Sequence, residues 1–179
     1  MLTFTPLEGP GCRIAGTGFT LSVFPKDDKA AAAGTKNALL LRSTPDEEDR
    51  DGVISWPGEY NVMGVTVRGI GHKEGQQVSY VIDAEDARVL CISEPVEDWA
   101  DREVEMVGDV DVLVAPVSEA KILQKLIDEF DPRILILMPS KGATDSVLKT
   151  LGSKGDTISE YKLKGAMPAE GREVVVLAE

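Results

Sequence analysis

Two uninterrupted apolar runs, VDVLVAP at 110–116 and RILILM at 133–138, flank a stretch in which Ile122, Leu123, Leu126, Ile127 and Phe130 recur at helical spacing. Runs without polar alternation read as strands covered on both faces. The helical pattern stops at Asp131-Pro132, because proline drives the residue before it out of the α region. The unit is strand, helix, strand. Parallel neighbours need such a crossover, so this half of the chain calls for a sheet with helices packed outside it.

The half before it has a different rhythm. Short strand-like segments at 12–15, 19–24, 38–42, 53–55, 65–70, 79–83 and 88–92 are separated by turns rich in Gly, Asp and Asn, the pattern of an antiparallel meander. GCRIAGTGFTLSVF and VSYVIDAEDARVLCI read as hairpins, the second turning at AEDA. A further helix is expected at 144–151 and a closing strand at EVVVLA, while KDDKAAAAGTK (26–36) reads as a loop. At 179 residues the chain fits one domain, 1–179, able to bury roughly 70% of its unfolded surface. The expected architecture is a layered α/β sandwich, with mixed sheets and helices on the outer faces.

Charge narrows the function. A formal charge of −12 argues against nucleic acid and against anionic membranes, since both are bound through Lys and Arg. No apolar run approaches the ~20 residues of a membrane span, and no secretory leader is visible, so a cytoplasmic location is expected. The two cysteines, Cys12 and Cys91, lie in apolar segments without a CxxC pattern and are expected as buried free thiols. GPGCRIAGTG is followed by strand-like residues rather than a helix and lacks a Gly-Lys-Ser/Thr end, so it is no phosphate loop.

Acids are clustered. The loop RSTPDEED places Asp46, Glu47, Glu48 and Asp49 in succession after the strand ALLL; residues 43–51 hold five acids and 94–105 hold six of the chain's 31. One reading is an oxygen-rich site for Mg²⁺, Mn²⁺ or Ca²⁺ made by Asp46, Glu48, Asp49 and Glu94 with His72, the single histidine. A second is solvated loops, the ordinary place for Asp and Glu. A third is an acidic surface that attracts a basic partner. We carry the second forward and expect no metal or cofactor. His72 is expected as a surface or supporting residue. Glu59 and Tyr60 are expected in structural roles, and Trp56 and Trp99 in core packing. Ser43, Ser93 and Ser118 have no histidine placed by a motif to activate them, so a Ser-His-Asp triad is not expected.

Four segments, ISWPGEYNVMGVTVRGI, GDVDVLVAPV, DPRILILMPS and the loop after ALLL, resemble in order and spacing the small hydrolase-like branch of the metallo-β-lactamase superfamily. Trp56 stands where that branch has a first glycine, before Pro57, Gly58, Glu59 and Tyr60. The resemblance runs from about residue 7 to 138, more loosely beyond, and implies an αββα sandwich with both acidic segments at one rim. It also implies where metal ligands would fall: a His-x-His-x-Asp-His loop at Thr44, Asp46, Glu48 and Asp49, a bridging aspartate at Glu94, and a last histidine at Pro139. His72 alone matches a ligand histidine by position. Zinc sites of this family are built from imidazoles and carboxylates that activate water, and one histidine cannot supply them. The resemblance thus implies a degenerate member, a non-catalytic binding or assembly module with a protein partner or self-association. The enzyme alternative is a divalent-metal hydrolase using the acidic replacements.

Overall fold

The computed structural model describes residues 1–29, 37–139, 144–165 and 167–178; the loop expected at 26–36 thus lies largely outside the described residues. The smaller sheet contains β1 (Leu2–Pro6), β2 (Cys12–Gly16), β3 (Phe19–Val23), β4 (Ala38–Leu41) and β5 (Val53–Ile54). The larger contains β6 (Gly58–Val62), β7 (Val65–His72), β8 (Gln77–Ala84), β9 (Ala87–Cys91), β10 (Val112–Pro116) and β11 (Ile134–Met138). The tail joins both. Of its strands, β12 (Asp156–Ile158) and β14 (Glu173–Leu177) extend the larger sheet, and β13 (Tyr161–Leu163) pairs with β1 in the smaller.

Strand order is β13-β1-β2-β3-β4-β5 in one sheet and β12-β14-β11-β10-β9-β8-β7-β6 in the other. The meander is antiparallel from β6 to β9, and β9, β10, β11, β14 and β12 run parallel, as the change of rhythm in the sequence requires. In the smaller sheet β3, β4 and β5 are also parallel, which departs from a pure meander. The turn at AEDA is a two-residue hairpin loop with Glu85 and Asp86 both at positive φ, 48° and 62°, the combination whose twist matches paired strands.

Alternation along the strands divides the interior into two apolar layers. Phe4, Ile14, Leu21, Leu41, Val67, Tyr80, Ile82, Val114 and Ile136 fill the space between the sheets. Val81, Leu90, Leu113 and Leu137 face outward, beneath three helices: α1 (Asp101–Val107), α2 (Ala120–Phe130) and α3 (Thr144–Thr150). α2 buries Leu123, Leu126, Ile127 and Phe130 and ends where Asp131 turns left-handed, at φ 41°, before Pro132. All three helices cover the larger sheet. Cys12 and Cys91 are free and buried as expected, and burial pushes both thiols up, Cys12 to about 12. No helix among the described residues is long and apolar enough to cross a membrane.

Candidate functional site

The carboxyl ends of strands β4, β9, β10 and β11 meet at one rim of the sandwich, the usual place for a site on an open α/β sheet. β4 ends at Leu41, and the acidic loop follows. Asp46 is held on every side. Its Oδ2 accepts from Arg50 Nη2 at 2.8 Å and Arg42 Nη1 at 3.0 Å, and both arginines also pair with Asp28, at 3.1 and 3.5 Å. Its N–H donates to Ser55 Oγ at 3.0 Å, and its carbonyl accepts from Trp56 Nε1 at 2.9 Å. The Glu48 N–H, and then the charges of Arg50 and Arg42, hold the Asp46 carboxyl below its ordinary range. Asp46 is thus the anion of an arginine clamp, while Glu48 and Asp49 are exposed.

The expected ligands do not share one depression. Asp46, Glu48 and Asp49 line a depression of about 310 Å³ with Trp56 and Tyr60. Glu94 lines a different one of about 300 Å³, with Phe24, Lys26, Arg42, Ser43 and Thr44. Below the rim, Tyr80 is fully buried and its hydroxyl donates toward the carbonyls of Arg42, at 2.7 Å, and Ile54, at 2.9 Å, which ties β4 and β5 to the larger sheet. No group of three or more His, Cys, Asp or Glu among the described residues is arranged to hold a metal ion. The donor set does not fit a zinc centre. The chain's single imidazole, His72, is bonded at both nitrogens on the outer face, and Asp46 already faces two guanidinium groups.

His72 stands at the same end of the larger sheet, in register with Gln77 beside the segment that follows β9, but on the outer face rather than toward the acidic loop, and it is not a surface residue. It ends β7 on the outer face of the larger sheet, 8% exposed, with its ring 4.5 Å from Trp99. Its Nδ1 lies 3.0 Å from Glu103 Oε1 on α1, and its Nε2 lies 3.0 Å from Ser79 Oγ on β8. A carboxylate only accepts, so Nδ1 carries a proton and donates to Glu103, while Nε2 shares a hydrogen bond with the Ser79 hydroxyl. Ser79 Oγ in turn accepts the Ser93 N–H at 3.1 Å and lies 3.1 Å from Ser93 Oγ, which accepts from Gln77 Nε2 at 2.9 Å. Glu103 Oε2 accepts the Ala100 N–H at 2.8 Å, closing half of a capping box at the start of α1. Every hydroxyl and ring nitrogen of this chain of bonds has a partner.

Glu103, His72 and Ser79 stand in the order of an acid-histidine-serine triad, although none of the serines singled out in the sequence occupies the bonded position. Burial decides what the arrangement does. Ser79 is 0% and Ser93 1% exposed, and the open groove beside α1 reaches Glu103, not the hydroxyls. A substrate would meet the acid and not the nucleophile. The network is a clasp that fastens residues 93–103 onto the sheet. Trp99 completes it by packing edge-on against Phe130, with ring centroids 5.3 Å apart.

The second acidic segment begins with Glu94 and passes onto the outer face at the same end of the larger sheet, where Glu97 pairs with Lys73 and Glu103 with His72, so its later acids do not converge with the acidic loop. Trp56 is corrected, since it is 53% exposed rather than part of the core. Tyr60 is structural as expected, its hydroxyl donating to the Trp56 carbonyl at 2.9 Å. The sequence does carry a signal for the clasp, as alternation. In GQQVSYV the polar Gln77 and Ser79 interleave with Val78 and Tyr80, placing two polar groups on a covered face.

Neither a family model nor a curated protein matches the sequence. Solved structures do match its shape. One, named as a candidate Zn-dependent hydrolase of the metallo-β-lactamase superfamily from Thermotoga maritima, superimposes with a TM-score of 0.80 at 22% identity, covering 99% of this chain and 98% of that one. The fold is metallo-β-lactamase-like. The metallo-β-lactamase fold protein YhfI from Bacillus subtilis follows at TM-score 0.59 and 10% identity, covering 84% of this chain and 92% of that chain. A metallo hydrolase from the archaeon Ignicoccus hospitalis gives 0.58 and 9%, covering 91% and 99%. At such identities the likeness concerns the fold. Chemistry in the metallo-β-lactamase-like frame has to be read from the rim itself.

Proposed function

We propose that this chain is a non-catalytic member of the metallo-β-lactamase superfamily that acts as a binding or assembly module. The observation that carries the reading is the engagement of Asp46. The carboxylate at a metal-ligand position is the shared anion of Arg42 and Arg50, and its backbone is tied to Ser55 and Trp56. A cation entering there would have to displace two guanidinium groups and meet their repulsion. The alternative, a divalent-metal hydrolase built on Asp46, Glu48, Asp49, Glu94 and His72, has less support. Glu94 lines a separate depression, and His72 is bonded at both nitrogens on another face.

The test is elemental analysis of protein purified without chelator, followed by calorimetric titration with Zn²⁺, Mg²⁺, Mn²⁺ and Ca²⁺. The expected result is no stoichiometric binding tighter than roughly 10 µM, about −7 kcal/mol. Stoichiometric binding that Asp46→Ala and Glu94→Ala abolish would overturn the proposal and open a substrate search.

A further inference from the structure

The outer face of the larger sheet is covered unevenly. α2 and α3 pack over its parallel strands, but over β7 the cover is α1 and the loop that leads into it, with Trp99 on His72. Between α1, the 3-10 turn at Lys73–Gly75 and the sheet edge at β6 runs a groove of about 1020 Å³, against about 310 and 300 Å³ for the two rim depressions. Glu59 on β6 is in register with Arg68 on β7, so both side chains stand on the α1 side of the sheet. Arg68 donates to the Met106 carbonyl at 2.8 Å and closes the negative end of α1.

Six charged side chains line the groove: Glu59, Arg68, Glu74, Arg102, Glu103 and Glu105. Glu103 is committed to His72, and Arg68 to α1 and Asp83. That leaves the carboxylates of Glu59, Glu74 and Glu105 against the single guanidinium of Arg102, and none of these four has a hydrogen bond or ion pair among the described residues. The three acids stand on three different elements and do not converge as metal ligands. Beside them Met106 is 46% exposed and gives the groove an apolar spot, on a helix that buries Val107. Dispersed negative charge next to an apolar spot is complementary to cations spaced along a chain that also offers an apolar group.

We infer that this groove receives a basic segment of a partner protein, with Lys or Arg side chains facing Glu59, Glu74 and Glu105 and an apolar side chain covering Met106. The inference rests on the reading of the chain as a binding module and names the partner's chemistry. Charge repulsion speaks against a second copy as the occupant, since each carries −12.

The experiment is a fluorescence anisotropy titration of the full chain with a labelled peptide of mixed Lys and Leu, with amide shifts recorded on ¹⁵N-labelled protein. Expected are saturable binding, shifts centred on Gly69, Gly71 and Glu105, and affinity at least about tenfold weaker between about 50 and 300 mM salt. Glu59→Lys with Glu105→Lys should weaken it by a similar factor at low salt, and both positions are exposed, so the fold is retained and a thermal melt checks it. Equal binding of a Glu and Leu peptide, shifts confined to residues 46–56, displacement by spermine at equal affinity, or no saturation would each overturn the inference. Failure of the groove leaves the non-catalytic reading intact, whereas stoichiometric metal at the rim sinks that reading without touching the groove.

Discussion

The rim and the outer face of the larger sheet are both rich in acid, and the chain treats them in opposite ways. At the rim the partly exposed carboxylate of Asp46 is neutralised by two arginines in contact with water. On the outer face Glu103 is drawn against a buried histidine, and its neighbours Glu59, Glu74 and Glu105 are left facing a groove. Water screens the first arrangement, so it holds loop geometry and contributes little stability. The second meets water at Glu103 but buries His72 and Ser79, so at that end a missing partner leaves a desolvated polar group behind. A negative count along the sequence therefore conceals two different uses of charge.

The largest effect should come from His72→Ala. It removes a buried ring packed on Trp99, leaves a cavity beneath it and takes one partner each from the Glu103 carboxylate and the buried Ser79 hydroxyl, so a loss of about 3 kcal/mol is expected in urea unfolding with an unchanged slope. A loss no greater than that of an average surface substitution would show the clasp to be solvated. Ser79→Ala should cost less, about 1 to 2 kcal/mol, because His72 keeps Glu103 while Nε2 and the Ser93 N–H lose one partner. Asp46→Asn comes next, and its effect should shrink as salt is raised from low to physiological strength, which the two clasp variants should not do.

The smallest expected change is a pH effect at the rim. The folded Asp46 carboxyl titrates below its ordinary value of 3.8, so what its charge contributes is complete above that value and is lost as pH falls through the lower, folded one. A carbon-detected titration of the Asp46 carboxyl, run beside Asp46→Asn stability measurements, checks this. A midpoint at or above 3.8 would show that the clamp does not favour the ionised form.

Much of the fold is legible in the order of residues alone. The covered strands β10 and β11, the helix between them and the hairpins around β8 follow from apolar spacing and turn residues, because burial on both faces or on one leaves a different period in the sequence. Elements that bury little leave no such trace. β6 is an edge strand with Gly58, Glu59 and Asn61 exposed, so GEYNV shows no apolar face. α1 buries only Val107, and β12 and β13 have three residues each. β1 is not singled out by its sequence either. Its place is set by pairing with β13, from the other end of the chain.

The sequence by itself determined that a poly-histidine metal centre is out of reach, since ligand chemistry depends on residue type and there is one imidazole. It also determined the layered α/β plan, through the period of its apolar residues. Only the tertiary structure decided which acids are neutralised, which are clasped and which stay open. Glu103 meets His72 across 31 residues, and Arg42 and Arg50 share Asp28 with Asp46. Such pairings follow from which strands adjoin and which face a side chain takes. Charge acts through space rather than along the chain, so the same run of carboxylates reads identically in sequence whether an arginine or open water stands opposite.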